Sequence, residues 1–224
     1  MEVAFLRFVS SKPVTWLLRT RIISTLLFPL IYWTRVVEQL PDDPDSIRFI
    51  FLVSYAQTSR NELSWMSLNT SRLAGTLADY YKKAVVIGGE FRDNKTSGEW
   101  NHKLTYIPSD RAFCIGKVSS TTDEREAIVA KALSLFPGVN LDNSIVVCNG
   151  AHARRLSVVW RHFHPHSKLY IVSTDPRADD DPENPMLAQR YWQTWLVANL
   201  VGEVAYRLLG VDRFARKNMS QPVE

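Results

Sequence analysis

A histidine and an arginine three positions apart, His152 and Arg155, follow a short apolar run at residues 144–148. Asn149 directly follows that run. Polar groups at the point where a buried strand ends and a helix begins form a common anion-binding geometry. Arg155 suits a forked pairing with carboxylate or phosphate, and a helix N-terminus keeps a histidine neutral and able to act as a base or donor. The alternative is a capping histidine beside a solvated arginine pair.

A glycine pair, Gly88 and Gly89, closes a second apolar run at residues 84–87. Glycine allows a ligand to approach the backbone closely and aims peptide N–H groups at an anion. The spacing matches neither the dinucleotide-binding fingerprint nor the phosphate-loop motif. A simple tight turn is therefore an equal alternative.

Hydroxyls and carboxylates cluster at a third junction, where residues 119–125 open a predicted helix. Thr122 as the N-cap and Glu124 in the first turn explain the cluster as capping. Their position after a predicted strand favours a role in a site. We assign candidate catalytic roles to His152 and Glu124, and candidate ligand-binding roles to Gly88, Gly89, Thr122, Asn149 and Arg155.

Other catalytic and metal motifs have little support. The chain contains neither G-x-S-x-G nor H-E-x-x-H, which argues against serine hydrolases and zincins. Three histidines at 162, 164 and 166 lie between a predicted helix and strand, with no carboxylate or thiolate at ligand spacing. We interpret them as a solvated loop and expect no metal. The two cysteines form no zinc or disulfide pattern, and Cys148 is predicted to be a core residue.

Apolar runs alternate with segments of helical periodicity along the main part of the chain. Strands are predicted over 47–54, 84–87, 113–118, 144–148 and 168–173, and helices over 63–83, 122–136, 151–163 and 188–209. Residues 90–110 are predicted to be a loop. This alternation predicts an α/β three-layer sandwich with a mostly parallel, Rossmann-like sheet. Because parallel strands end at one edge, we expect His152, Arg155, Gly88 and Thr122 to surround one cleft there.

The chain of 224 residues fits one such domain plus an appendage, and its formal net charge is +4. A mildly basic balance permits an anionic ligand or an acidic membrane surface. Since no cluster of basic residues with interleaved aromatics occurs, nucleic acid is not an expected partner.

The first 40 residues form an apolar and basic helical appendage, followed by a linker at 41–46, the domain at 47–216 and a tail at 217–224. Arg19 and Arg21 interrupt the apolar stretch and would each cost about 2.5–3.5 kcal/mol at a bilayer centre. The uninterrupted part, 22–33, is too short to span, and Pro29 is expected to kink it.

Three interpretations of the appendage remain open: helices packed on the domain, an interfacial membrane helix, or a cleavable organelle-targeting segment. The corresponding locations are the cytoplasm, the membrane periphery or an organelle. In the first two cases we expect helices that do not span a bilayer.

The order of these features resembles the YdcF/SanA/ElyC-like domain of unknown function, over about residues 47–210. The resemblance rests on the Gly-Gly strand end, the Thr-rich helix start, the His-x-x-Arg junction and a terminal helix closing with Tyr-Arg-Leu-Leu-Gly at 206–210. It implies a Rossmann-like fold with a polar cleft above the sheet. By position it adds Arg72 to the ligand-binding candidates.

Three motifs of that family are altered in this chain. Residues 90–101 hold no clean Ser-Glu-Ala, the first strand ends in Ser-Tyr-Ala-Gln, and Arg125 replaces the family's asparagine. Two hypotheses follow. In the first, the domain binds an anionic or nucleotide-like small molecule in the cleft, either as an enzyme or as a binding protein, and the sequence does not identify a cofactor. In the second, it is a non-catalytic structural or envelope-associated protein that uses residues 1–40 as a docking surface.

Overall fold

The computed structural model describes residues 8, 10–55, 57–58, 62–91, 98–118, 120–176, 182, 184 and 187–215. Five parallel strands form the centre of this part of the chain, in the order β3-β2-β1-β4-β5. The strands are β1 Phe49–Leu52, β2 Val85–Phe91, β3 Ala112–Val118, β4 Ser144–Cys148 and β5 Leu169–Ser173. The α/β fold with a parallel, Rossmann-like sheet is therefore confirmed.

The strand order places a topological reversal at the centre of the sheet. β1 pairs with β2 along one edge and with β4 along the other. The chain therefore leaves β1 towards one side of the sheet and leaves β4 towards the other. The connections diverge and form a crevice at the carboxyl ends of these two strands, which is where ligands bind in open α/β sheets.

Helices cover both faces of the sheet. The helices are α1 Lys12–Leu18, α2 Arg21–Thr34, α3 Trp65–Tyr80, α4 Glu99–Lys103, α5 Thr121–Leu135, α6 Gly150–Phe163, α7 Trp192–Leu209 and α8 Asp212–Ala215, with 3₁₀ turns at Ser109–Arg111 and Leu187–Gln189. Side chains of β1 alternate between two cores. Phe49 and Phe51 join the core under α5 and α6, whereas Ile50 and Leu52 join the core under α3.

The prediction that Gly88 and Gly89 end the second strand is wrong, because β2 continues to Phe91. A Cβ on Gly88 would lie 2.6 Å from the carbonyl oxygen of Leu52, and one on Gly89 would lie 2.8 Å from the Ile115 side chain. These glycines let side chains and neighbouring backbone approach the middle of the sheet closely, as glycine in a strand often does.

The predicted loop at 90–110 is also wrong in part. It contains the end of β2 and the short helix α4. A helix of five residues is too short to show a periodic apolar pattern. Residues 92–97 lie outside the described part. The strand β4 has the predicted bounds, and Cys148 is fully buried in it as expected.

The described part of the N-terminal segment contains two helices, α1 and α2, as expected, and contacts the domain. Ile31 and Thr34 on one side of α2 are buried. After α2, Val37 pairs antiparallel with Val172 of β5, and the Ser173 amide donates to the Val36 carbonyl at 3.0 Å.

No single described helix is long and apolar enough to cross a membrane. Taken together, α1 and α2 are long and apolar enough by length and composition alone, but a bend of 75° separates them. The bend lies between the two helices, at Arg19 and Thr20, and Pro29 lies inside α2.

Gly75 of α3 allows the segment after α4 to lie against this helix. A Cβ there would lie 1.9 Å from the carbonyl oxygen of Tyr106. Alanine normally stabilises a helix interior by about 1 kcal/mol relative to glycine. We expect Gly75→Ala instead to lower the free energy of unfolding by about 1–3 kcal/mol, because backbone must move to relieve the overlap.

Urea unfolding followed by circular dichroism measures this change. The matched control is Thr76→Ala, at the next and exposed position of the same helix, where we expect less than about 0.5 kcal/mol. Stabilisation by Gly75→Ala would show that the close approach is absent.

Candidate functional site

Tyr55 lies between the ends of β1 and β4. Its side chain is almost fully buried, and its hydroxyl oxygen accepts a hydrogen bond of 2.8 Å from the backbone N–H of Asn149. The first residues after both strands are thereby linked. The apolar pattern of β1 does not signal this role, because a tyrosine after a strand is an ordinary sequence feature.

Asn149 is the N-cap of α6. Its Oδ1 accepts hydrogen bonds from the Ala151 amide at 3.1 Å and from Nε1 of Trp195 at 3.0 Å, and its Nδ2 donates to the Asp175 carbonyl at 2.8 Å. These bonds join the start of α6 to α7 and to the segment after β5. Asn149, predicted to bind ligand, therefore holds the elements of the site together.

His152 lies at the centre of this group and is buried. Its Nδ1 is 3.2 Å from the Tyr55 hydroxyl, and its Nε2 is 3.2 Å from both Thr121 Oγ1 and a terminal nitrogen of Arg155. A guanidinium can only donate, so Nε2 must accept and the ring proton belongs on Nδ1. Burial, and next the charge of Arg155, lower the pKa of His152 well below its usual value of 6.5.

Arg155 is only 7% exposed, so the alternative of a solvated arginine pair is wrong. Gly202 of α7 makes room for it, since a Cβ there would lie 2.7 Å from Cδ of Arg155. The neighbouring Arg154 has a different environment. It forms a salt bridge of 2.9 Å with the buried Glu203, and its guanidinium lies 3.6 Å from the centre of the Trp33 ring.

Glu124 lies in the first turn of α5 and is also buried. Its Oε1 accepts a hydrogen bond of 2.6 Å from the backbone N–H of Ser54. Burial raises the pKa of Glu124 to about 7, although the hydrogen bonds from Ser54 act in the opposite direction. The carboxyl group of Glu124 therefore titrates near neutral pH.

The N-cap of α5 lies two residues before the predicted position. Ser120, not Thr122, is the N-cap, and its side chain accepts from the Asp123 amide. Thr122 is buried with its hydroxyl 3.1 Å from that of Ser120. Its neighbour Thr121 is the residue that reaches His152.

A buried ion pair lies under the same edge of the sheet. Lys103 and Glu99 of α4 are both fully buried and 2.8 Å apart. Lys103 also donates to the Gly89 carbonyl at 2.7 Å. The hydroxyl oxygen of Ser67 lies 3.2 Å from Glu99 Oε1 and 3.2 Å from the carbonyl oxygen of Tyr55. The only sequence signal for this pair is its i, i+4 spacing, which is more typical of exposed helices.

The remaining candidates lie elsewhere. Arg72 is exposed on α3, with its guanidinium 5.4 Å from the centre of the Tyr106 ring, and so does not join His152. Gly88 and Gly89 lie inside β2 and not at a loop above it. Within the described residues no group of three or more His, Cys, Asp or Glu side chains is arranged to hold a metal. His162 contacts Asp212, and His164 contacts Arg125.

The sequence candidates thus separate into two groups. His152, Arg155, Glu124 and Asn149 all lie at the ends of β1 and β4 or at the starts of α5 and α6. Four further residues complete this group, and the sequence patterns did not predict them: Tyr55, Thr121, Trp195 and Gly202. The group contains a buried cation, a neutral imidazole and a carboxyl group with a raised pKa, which are kinds of residue that acid–base sites combine.

Comparisons with protein-family models, with curated proteins and with solved structures returned no match.

Glu124 should make the stability of the protein depend on pH. Its folded pKa of about 7 exceeds the ordinary value of 4.5, so the folded state binds more protons between these limits. The free energy of unfolding therefore falls as pH rises through that window, by about 3 kcal/mol from this group. We expect Glu124→Gln to become more stable relative to the native protein by about that amount between pH 4.5 and pH 8.

Urea unfolding at a series of pH values tests this. The lowered pKa of His152 gives a contribution of opposite sign, which cancels in the comparison of variant with native protein. A difference that stays constant with pH would contradict the buried state of the carboxyl group.

The tautomer of His152 can be tested by nitrogen-15 NMR. We expect the ring to carry its proton on Nδ1 and not to titrate near 6.5, because protonation would place an N–H against Arg155. The signal is assigned by its loss in His152→Gln. A proton on Nε2, or titration near 6.5, would show that the ring does not accept from Arg155.

Proposed function

We propose that the domain binds an anionic or nucleotide-like small molecule at the carboxyl edge of the sheet, between β1 and β4. The observation that carries this proposal is the buried guanidinium of Arg155 beside the neutral ring of His152. The reversal of strand order at this edge supports it, because ligands of open α/β sheets bind there. The starts of α5 and α6 also meet at this edge, and helix N-termini favour negative charge.

Each residue has a separate role in this proposal. Arg155 supplies the positive charge that pairs with the anion, and Gly202 allows its side chain to lie along α7. Glu124 exchanges a proton near neutral pH and is the candidate acid or base. His152 orients the guanidinium through Nε2, and Tyr55 holds the ring through Nδ1. The resemblance to the YdcF/SanA-like domain agrees with this choice at the His-x-x-Arg junction.

A second candidate function is favoured by the mutual bonding of these side chains. Asn149, Tyr55 and His152 bond to one another and to elements of the fold, as a network does when it stabilises a structure. In that case the domain is a non-catalytic structural protein. The two functions differ in whether the edge of the sheet binds an anion at all.

The test begins with a thermal-shift screen of the full chain against inorganic phosphate, adenine nucleotides and S-adenosylmethionine. Calorimetry then compares Arg155→Met with the native protein for the compound that binds. We expect the variant to bind about 10- to 150-fold more weakly, which corresponds to the loss of a charge-assisted hydrogen bond of about 1.5–3 kcal/mol.

Arg154→Met is the matched control on the adjacent position. It removes the bridge to Glu203 and should lower the melting temperature without changing the affinity for the anion. Equal effects of both substitutions on affinity would favour the structural function. So would a screen in which none of these anions stabilises the native protein.

A further inference from the structure

We propose that α1 and α2 form a docking surface for the face of a lipid bilayer that carries anionic headgroups, and that they lie in its plane. We name this surface, residues 10–37, the N-terminal docking face. The proposal concerns a different part of the molecule from the anion site and stands without it.

The helix α2 is apolar on both sides, but the domain covers only one. Leu27 and Ile31 pack into the core on the inner side. On the outer side Ile22 is 74% exposed and Leu26 is 65% exposed. A helix that is apolar all round is normally buried all round. No described residue covers the outer side.

Exposed aromatic residues lie on the same two helices. Trp16 of α1 is 72% exposed, and Tyr32 and Trp33 of α2 are more than half exposed. Tryptophan and tyrosine are the residues enriched where a bilayer meets water, because their rings are apolar and their polar atoms remain hydrated. This composition fits a lipid interface better than a small apolar ligand.

The charge of the segment identifies the kind of lipid surface. No acidic residue occurs between Glu2 and Glu38, whereas five basic residues do. Four of these belong to the described part, Lys12, Arg19, Arg21 and Arg35, and all four are exposed. Each basic residue near an anionic bilayer surface strengthens binding by about fivefold. The apolar and cationic components together are what interfacial helices require.

Contacts with the domain hold α1 and α2 against it. This arrangement is compatible with docking on a bilayer surface but not with spanning the bilayer. Gln193 of α7 donates to Ser24 at 3.1 Å, the Arg19 guanidinium lies 4.1 Å from the centre of the Tyr191 ring, and Trp33 stacks on Arg154. The chain after α2 is hydrogen-bonded to β5. A spanning arrangement would break these contacts and place Arg19 and Arg21 in hydrocarbon.

The test is co-sedimentation of the full chain with vesicles of phosphatidylcholine alone or of phosphatidylcholine with phosphatidylserine. We expect binding to the second kind only, and release by high salt, because surface electrostatics are screened. Leu26→Asp should weaken binding by at least about tenfold, since a side chain that buries apolar surface is lost. Arg21→Glu should weaken it by at least about fivefold.

Two matched substitutions act as controls. Leu133→Asp changes an exposed leucine of α5, and Lys82→Glu changes an exposed lysine after α3. Neither lies on the N-terminal docking face, so neither should reduce binding. Circular dichroism and melting temperature establish that all four variants fold.

Four results would overturn the proposal. The first is equal binding to both kinds of vesicle, and the second is an equal loss of binding in the control variants. The third is resistance of the bound protein to alkaline carbonate, which would indicate a spanning segment. The fourth is a dimer in analytical ultracentrifugation that Leu26→Asp dissociates, with no binding to vesicles, which would make a second copy of the chain the occupant.

Discussion

The hydroxyl of Tyr55 accepts a hydrogen bond from the Asn149 amide and lies 3.2 Å from Nδ1 of His152. This hydroxyl occupies the crevice that the strand order creates, where the chain leaves β1 and β4 in opposite directions. Without a polar group at that place, the amide that opens α6 would be buried without its bond, at a cost of about 1–3 kcal/mol. The start of α6 therefore depends on Tyr55, in the segment that follows β1. His152 lies in the first turn of α6, so the orientation of its ring depends on the same hydroxyl.

Buried charge is the second constraint on this edge of the sheet. Arg155, Glu124 and the Glu99–Lys103 pair are all buried, and each would be costly without compensation. The protein compensates in three ways. Lys103 pairs with Glu99, and the raised pKa of Glu124 favours its protonated, neutral form. The lowered pKa of His152 keeps its ring neutral beside Arg155. These adjustments are interdependent. Lys103 and Glu99 act on the pKa of Glu124 in opposite directions, so a change at one group alters the protonation of another.

The helix α6 connects the proposed anion site with the N-terminal docking face. Arg155 and Arg154 are adjacent in sequence, yet one guanidinium reaches His152 and the other stacks on Trp33. Glu203 of α7 bridges to Arg154 and Arg207, while Gly202 makes room for Arg155. If α2 lies on a bilayer, the site at the carboxyl edge is held at a fixed distance from that surface, because both are attached to the same two helices.

The sequence by itself determined the α/β class, the bounds of β4 and the helical state of the N-terminal segment. These properties follow from periodicity and composition, which can be read from residues close together in the chain. It also predicted that His152, Arg155 and Glu124 lie where strands end and helices begin, because each follows an apolar run in the sequence; their role in a site stays a prediction. Only the tertiary structure decided that Tyr55 and His152, 97 positions apart, are in contact. Only it showed that Gly88 and Gly89 lie within a strand, that Arg72 lies outside the site, and that Glu99, Lys103 and Arg155 are buried. The reason is physical: burial and partnership of a charged or glycine residue depend on which distant backbone lies against it, and no local pattern carries that information.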